Sequence, residues 1–147
     1  LQSFTLLDNN YHLYLVGEGD LRKTIQDMII KYELVDKVSL LGYRSDVPAI
    51  LRQSDLSVLS SYGEGFGLAI IESLAVGTIC LGSHVSGIKD ILDSEYLFEL
   101  GDSKTLAEKI MKYCNLDLSE KCKNMVKEYD VNKMVQLYKK VYNNAIQ

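Results

Sequence analysis

Cysteine is scarce in this sequence, basic residues are fewer than acidic ones, and no long apolar run is present. The three cysteines, Cys80, Cys114 and Cys122, show no C-x-x-C or Cys/His ligand spacing, so neither a disulfide framework nor a zinc site is indicated and a reducing cytoplasm fits best. The 16 Lys and Arg against 20 Asp and Glu leave a net charge of -4, which disfavours nucleic acid and anionic membrane surfaces as partners. Apolar runs stay far shorter than the about 20 residues that span a bilayer, so no transmembrane segment is expected.

The 147 residues are 47% hydrophobic with a single proline, which is enough for one domain with a sizeable core. Short apolar runs ended by turn residues predict strands at 12–16, 38–41, 56–59 and 78–81, and helix-spaced apolar residues follow the first three. Continuous rather than alternating apolar strands imply a parallel sheet with helices on both faces. The sequence therefore predicts an α/β, Rossmann-like, doubly wound fold.

Helix caps and a change of pattern organise the rest of the chain. Ser45 and Asp46 are predicted side-chain caps of the helix that holds Pro48, and Asp102 is the predicted cap of a later helix. After Gly101 only helical spacing remains, which predicts a helical C-terminal tail. Its last helix carries an apolar stripe that needs a partner surface, formed by Val131, Met134, Val135, Tyr138, Val141 and Tyr142.

Ligands of an open parallel sheet bind beyond the carboxyl ends of its strands, so the loops at 17–20, 42–46, 60–67 and 82–87 form the candidate site. The third loop places Glu64 before a Gly-Phe-Gly turn and a helix, whose N-terminal amides favour an anion by about 0.3–1 kcal/mol. Glu72, in the second turn of that helix, is suited to accept hydrogen bonds from ribose hydroxyls. The arrangement indicates a nucleotide site.

The spacing of the two carboxylates carries little weight by itself. Glu120 and Glu128 show the same eight-residue offset in a segment typical of a solvated helix. The glycines between Glu64 and Glu72, and their position after a buried strand, distinguish this pair from that internal control.

The stretch 64–75 resembles the E-x7-E signature of the retaining glycosyltransferases of family 4, which have the GT-B fold. Other segments resemble further motifs of the family in the same order: a strand with a G-[DE]-G turn at 15–21, a strand end at 41–43 and a G-G-x-x-E loop at 86–91, where Ser86 and Asp90 replace the usual glycine and glutamate. The combination covers about 11–110 and is highly specific.

The resemblance implies a role for each matching residue. Glu72 would bind the ribose hydroxyls of a nucleotide-sugar donor, and Glu64, the predicted catalytic residue, would contact hydroxyls of the transferred sugar. Family chemistry transfers the sugar with retention of configuration and uses no metal cofactor, because fixed cationic groups and the helix end stabilise the departing diphosphate. The remaining predicted donor-binding residues are Gly65, Phe66, Gly67 and Leu68 in the same loop, Gly17 in the first turn, and Tyr43 and Arg44 at the base pocket.

The same resemblance predicts that a strand of the donor domain and a whole second domain of the enzyme are not contained in residues 1–147. The family's donor domain normally opens with a further strand whose arginine and lysine grip the diphosphate, and a separate N-terminal domain binds the acceptor. Residues 1–7 resemble the end of the helix that follows that strand. We therefore expect 1–147 to be a donor-binding domain that transfers no sugar by itself. The full enzyme would transfer a hexose to a glycan or lipid-linked acceptor, in the cytoplasm or at the inner face of the membrane.

Three alternatives stay open from the residues alone. A dinucleotide-binding oxidoreductase would need a third glycine where Arg22 stands. A glycoside hydrolase would use Glu64 and Glu72 as its acid and base. A non-catalytic nucleotide-binding or interaction domain would use the glycine loops only as turns.

One histidine and three tyrosines stand out by their positions but are interpreted as structural rather than ligand-binding residues. His84 lies in a ligand-side loop but has no partner in the sequence pattern, so a solvated or capping role is favoured. Tyr129, Tyr138 and Tyr142 have helical spacing and are predicted to face the core or the missing domain.

Overall fold

The computed structural model describes residues 1–145 of the chain. Within that range five strands alternate with helices, and the last part is helical. The strands are β1 (Leu13–Val16), β2 (Val38–Gly42), β3 (Ser57–Leu59), β4 (Cys80–Ser83) and β5 (Leu97–Phe98). The α-helices are α1 (Arg22–Lys31), α2 (Val47–Arg52), α3 (Leu68–Ala75), α4 (Ser103–Tyr113), α5 (Ser119–Val126) and α6 (Val131–Ala145), and shorter 3-10 helices span Gln2–Leu6, Ser94–Tyr96 and Lys127–Tyr129.

All strand pairs are parallel, but they form two sheets. β1 pairs with β2, beginning with Leu13 beside Val38. In the second sheet β3 pairs with β4 and β4 pairs with β5, so that the order is β3-β4-β5. The predicted Rossmann-like α/β fold with a helical tail is confirmed. The structure also shows that the strands form two separate sheets, with no pairing between β1 and β3 in the described residues, which the sequence did not reveal. In each sheet the carboxyl ends of the strands lie at one edge, where the glycine loops follow.

The core is most complete around β4. All four residues of β4 are buried, and Leu81 at its centre is fully shielded together with Ile70 and Leu74 of α3. Complete burial of such side chains contributes about 1.5–3 kcal/mol each relative to exposure. This packing fixes α3 against the second sheet and thereby positions the loop that precedes the helix.

A buried hydrogen-bond network adds to this attachment. The hydroxyl of Ser73, a fully buried residue of α3, donates to the carbonyl of Thr78 at 2.8 Å and lies 2.8 Å from the hydroxyl of Ser57 in β3. Because each buried hydroxyl has a partner, the network avoids the cost of about 1–3 kcal/mol for an unsatisfied polar group. It holds α3, β3 and the turn before β4 in one arrangement.

Several element boundaries differ from the sequence predictions. The fourth strand begins at Cys80 rather than at Thr78, because Thr78 leaves a glycine turn and its hydroxyl donates to the carbonyl of Leu51 at 2.7 Å. β5 was not predicted, since two residues show no periodicity. The predicted Asp102 cap is confirmed: its carboxylate accepts the Thr105 amide at 2.9 Å.

The cap predicted for the short helix α2 is wrong. Asp46 occupies the N-cap position, yet its side chain makes no capping hydrogen bond in the described part of the chain. Its carboxylate instead accepts two hydrogen bonds from Arg44, at 2.8 and 2.6 Å. A bidentate pair between charged groups is stronger than a neutral capping bond, which explains why the carboxylate turns away from the helix.

The C-terminal tail has the predicted apolar stripe. Val131, Met134, Val135, Tyr138, Val141 and Tyr142 are all exposed. Tyr138 and Tyr142 stack with their ring centroids 6.4 Å apart. Across residues 1–145 no helix combines the length and hydropathy needed to cross a membrane.

Candidate functional site

Two glycine loops meet at the carboxyl ends of β3 and β4. The amide of Glu64 donates to the carbonyl of Ser86 at 3.4 Å. A Cβ atom built on Gly87 would lie 2.2 Å from the carbonyl oxygen of Glu64, and the φ of Gly87 is +83°. No side chain fits in that space, and a positive φ favours glycine. The backbones of the two loops therefore interlock at Gly87.

The carboxylate of Glu64 is held from the strand side. The hydroxyl of Ser61 donates to Glu64 Oε1 at 2.6 Å, and the hydroxyl of Ser83, the last residue of β4, donates to the carbonyl of Ser61 at 2.6 Å. Ser83 is fully buried and Glu64 is half-buried. Throughout residues 1–145 no hydrogen-bond donor reaches Oε2 of Glu64, so this oxygen is available to a ligand hydroxyl.

The start of α3 offers free backbone donors. Gly67 is the N-cap, with a φ of +65°, and its carbonyl accepts the Ile70 amide at 2.9 Å. In the part of the chain that the structure describes, the amides of Leu68 and Ala69 donate to no protein acceptor, and both residues are exposed. Unpaired amides at a helix N-terminus attract anions, with phosphate groups the common case. The turn can thus bind a diphosphate.

Glu72 lies on the same helix, one turn farther on. It follows Leu68 by four residues, which places it on the same helix face and about 6 Å along the axis. Its side chain is exposed and takes part in no salt bridge among residues 1–145. An anionic group at the helix start and a pair of hydroxyls beside Glu72 would be held by one rigid element.

The other predicted residues lie at the carboxyl ends of β1 and β2. The Gly17 amide donates to the carbonyl of Gly42 at 2.8 Å, so these two loops adjoin. Tyr43 is 79% exposed. The Arg44 guanidinium holds the pKa of the Asp46 carboxyl below its usual value, because the charged pair shares two hydrogen bonds. Arg44 is thus partly occupied by an intramolecular partner.

The predicted residues therefore form two groups, one on each sheet. One group lies at the carboxyl edge of the β3-β4-β5 sheet and consists of Glu64–Leu68 and Glu72. The other lies at the carboxyl edge of the β1-β2 sheet and consists of Gly17, Tyr43 and Arg44. No hydrogen bond or salt bridge between residues 1 and 145 joins the two groups. An open polar concavity of about 460 Å³, lined in part by Gly77–Ile79 and Cys114–Ser119, contains none of the predicted site residues.

Tyr129 makes a contact with the site loops that the sequence did not reveal. It was predicted to face the core or a missing domain, yet its ring meets the Phe66 ring edge-on, with the centroids 5.6 Å apart. Its hydroxyl donates to the carbonyl of Asp90 at 3.1 Å. Sequence spacing gives no signal for this contact, because the tyrosine reaches the loops from the C-terminal segment. The supporting hydroxyls of Ser61 and Ser83 were also missed, because neither serine belongs to a motif that singles it out.

The remaining residues singled out from the sequence have ordinary partners. His84 Nδ1 lies 2.7 Å from Glu99 Oε1, both exposed, which supplies the partner that the sequence did not show. Glu120 pairs with Lys123 at 3.0 Å and Glu128 contacts Lys133. The two control carboxylates, Glu120 and Glu128, are therefore ordinary solvated surface residues. Among residues 1–145 no cluster of three or more His, Cys, Asp or Glu side chains is placed to hold a metal ion.

The family model described as glycosyl transferases group 1 matches residues 1–131 of the chain. The chain belongs to this family. N-acetyl-alpha-D-glucosaminyl L-malate synthase of Bacillus anthracis is 31% identical over 143 residues, which are 91% of this chain and 38% of the relative. UDP-Gal:alpha-D-GlcNAc-diphosphoundecaprenol alpha-1,3-galactosyltransferase of Escherichia coli is 32% identical, over 90% of this chain and 36% of the relative. The chain thus spans well under half the length of these curated relatives.

A solved structure agrees with the fold. Anabaena Alr3699/HepE in complex with UDP and glucose superposes with a TM-score of 0.87 at 21% identity, over 97% of this chain and 43% of that one. At this identity the likeness shows the fold, which is that of one Rossmann-like half of the GT-B glycosyltransferases.

Proposed function

We propose that this glycosyl transferases group 1 chain is the C-terminal, donor-binding domain of a retaining family 4 glycosyltransferase. The observation that carries the proposal is the Glu64–Gly67 turn, which is interlocked with Gly87 and leads into a helix with two free amides and Glu72 one turn later. This arrangement matches the three chemical parts of a nucleotide sugar: hexose, diphosphate and ribose.

Each part of the donor has a suitable group. The amides at the start of α3 bind the diphosphate, as oriented backbone donors do at helix N-termini. Glu72 accepts hydrogen bonds from the ribose hydroxyls, and charged acceptors strengthen such bonds to about 1.5–3 kcal/mol each. Glu64, whose Oε1 is fixed by Ser61, directs its other oxygen at hydroxyls of the hexose.

The relatives support a hexose transfer and make UDP the first nucleotide to test. The name of the Escherichia coli relative gives a UDP-galactose donor and a lipid-linked acceptor, and the Anabaena protein was solved with UDP and glucose. We therefore propose that the full enzyme transfers a hexose with retention of configuration to a glycan or lipid-linked acceptor. A cytoplasmic location stays a prediction.

We propose in addition that the donor site works without a bound metal. The charge that develops on the leaving diphosphate needs fixed positive groups, and the α3 amides supply part of them. Removal of divalent ions by EDTA is expected to leave donor binding by the longer protein unchanged, and a large loss of affinity would contradict the proposal.

The division of the sheet supports the view that the domain is completed by further chain. Within residues 1–145, β1 and β3 each pair on one side only, and all five strands are parallel. We propose that a strand from the longer protein pairs between them and that a separate domain binds the acceptor. The isolated chain is then expected to transfer no sugar, and substantial turnover by it would refute this.

Titration of the longer protein tests the proposal directly. Calorimetry with UDP, GDP and ADP is expected to show binding of one nucleotide, and Glu72→Ala to weaken it by about tenfold or more, or about 1.4 kcal/mol. Glu120→Ala is the matched control, because Glu120 is an exposed helical glutamate outside both glycine loops. It is expected to leave the affinity unchanged.

The same experiment separates the alternatives. If the longer protein binds no nucleotide, the non-catalytic interaction domain is favoured. If Glu72→Ala and Glu120→Ala bind alike, Glu72 does not contact the ribose. Product analysis with a nucleotide sugar distinguishes transfer from the hydrolysis expected of a glycoside hydrolase.

A further inference from the structure

Tyr129 contacts both glycine loops from outside the sheet. It ends the 3-10 helix Lys127–Tyr129, between α5 and α6, and is half-buried. Its ring lies edge-on against Phe66, at 5.6 Å between centroids and an interplanar angle of 68°. Its hydroxyl donates to the Asp90 carbonyl at 3.1 Å. One side chain of the tail therefore touches the loop before α3 and the loop after β4.

The loop before α3 needs such an external contact. It contains Gly63, Gly65 and Gly67, and a Cβ atom on either of the first two would meet no atom of residues 1–145 within 4 Å. Glycine has more backbone freedom to lose than any other residue, so this sequence does not select one conformation by itself. Contacts from neighbouring elements must select it.

Asp90 links Tyr129 to Glu64. The Asp90 carboxylate accepts the Gly87 amide at 3.1 Å, while its carbonyl accepts the Tyr129 hydroxyl. Gly87 in turn touches the backbone of Glu64. Tyr129 thus acts on the Glu64 turn by two routes: directly through Phe66, and indirectly through Asp90 and Gly87.

We propose that Tyr129 is a positioning residue that sets the Glu64–Gly67 turn for the sugar end of the donor. The proposal rests on the proposed donor-binding function. Tyr129 contacts the turn and its partner loop, whereas Glu72 sits within the rigid helix α3. Loss of Tyr129 should therefore weaken the hold on the sugar more than the hold on the nucleotide.

The test compares two ligands on the longer protein. The free nucleotide is the one of UDP, GDP and ADP that binds wild type, and the nucleotide sugar is the tightest-binding hexose derivative of that nucleotide. Both are titrated against wild type, Tyr129→Phe and Tyr129→Ala. Tyr129→Ala is expected to weaken the nucleotide sugar about tenfold and the free nucleotide less than about twofold. Tyr129→Phe keeps the ring and loses the hydroxyl, so a loss of about threefold for the nucleotide sugar is expected.

Tyr32→Ala is the matched control. Tyr32 is a half-buried tyrosine whose hydroxyl accepts a hydrogen bond from the Gln2 side-chain amide at 3.3 Å, and it lies in neither glycine loop. Its loss is expected to lower the melting temperature while the ratio of the two affinities stays that of wild type.

Each other outcome overturns the assignment of Tyr129. Equal weakening of both ligands in Tyr129→Ala would show a merely structural role. Unchanged affinities for both ligands would show that Tyr129 has no role in binding. If Tyr129→Ala does not fold, the ratio of the two affinities in Tyr129→Phe decides instead. Wild-type protein that binds no nucleotide would reject the proposed function itself. Wild-type binding with an unchanged ratio in the variants would reject only the role of Tyr129.

Discussion

The two sheets carry the two halves of the candidate site, and they differ in how completely the chain encloses them. All of β4 is buried, whereas in β1 Tyr14 and Val16 are 52% and 40% exposed. Gly87, in the loop after β4, is closed in by the Glu64 backbone, while a Cβ on Gly17 or Gly19, in the loop after β1, would meet no atom of residues 1–145 within 4 Å. Packing around β4 and Gly87 thus fixes one side of the Glu64 half, whereas β1 and its loop depend on further contacts.

Truncation of the buried Leu81 in one sheet and of the partly exposed Val16 in the other should give the largest difference. Leu81→Ala, in the fully enclosed strand, is expected to lower the free energy of unfolding by about 2–5 kcal/mol, because a cavity replaces packed methyl groups. Val16→Ala in β1 is expected to cost less than about 1 kcal/mol. Urea unfolding followed by circular dichroism measures both. Similar costs would contradict the contrast, and a larger cost of Val16→Ala in the longer protein would support an added strand beside β1.

Adding one methyl group in each loop is expected to have the next largest effect. Gly87→Ala forces a Cβ to within 2.2 Å of a carbonyl oxygen at a positive φ, so we expect a loss of about 2–4 kcal/mol in unfolding free energy. Gly19→Ala meets open space and is expected to change it by less than about 0.5 kcal/mol. The same urea measurement applies. A neutral Gly87→Ala would show that the two loops are not interlocked.

The buried β4 strand also predicts a loss of stability at alkaline pH. Burial raises the pKa of the Cys80 thiol to about 11, from an ordinary value of 9.0. Between pH 9.0 and about pH 11 the Cys80 thiol has lost its proton in the unfolded chain but keeps it in the folded chain. The free energy of unfolding therefore falls as the pH rises through this range. The contribution is at most about 2–3 kcal/mol, since one pKa unit corresponds to about 1.4 kcal/mol.

Comparison of variants isolates the Cys80 contribution from other titrating groups. Unfolding free energies at about pH 8 and about pH 10.5 are expected to differ less in Cys80→Ala than in wild type. Cys114→Ala is the control, because Cys114 lies outside the sheet and is only half-buried. An identical pH dependence in wild type and Cys80→Ala would contradict the prediction.

Local sequence predicted the enclosed half well. The apolar run before Ser60 and the Gly-Phe-Gly turn before Leu68 are sufficient to locate β3, α3 and the two glutamates, because strand and helix signals there agree with the tertiary packing. The division of the sheet was not predicted, since apolar runs locate strands but do not show which strands pair. β5 was missed because Leu97 and Phe98 form too short a run for any periodicity.

The side-chain contacts of the site were less predictable than its backbone. A capping role for Asp46 follows from its position, but Arg44, two residues away, competes for the same carboxylate with two charged hydrogen bonds. Tyr129 reaches Phe66 across the fold, and Ser83 reaches Ser61 from β4. Such partners are set by tertiary structure, which local spacing does not encode.

The interlock at Gly87 has a consequence for anyone who would re-engineer the donor preference. Because the Glu64 carbonyl fills the space that a side chain at position 87 would need, position 87 has to stay glycine as long as the Glu64 backbone keeps this path. Libraries that vary position 87, or that change the backbone path of 62–66 by insertion or deletion, will mostly sample sequences in which the two loops no longer fit. Paired grafting of both loops from a single relative is the better strategy.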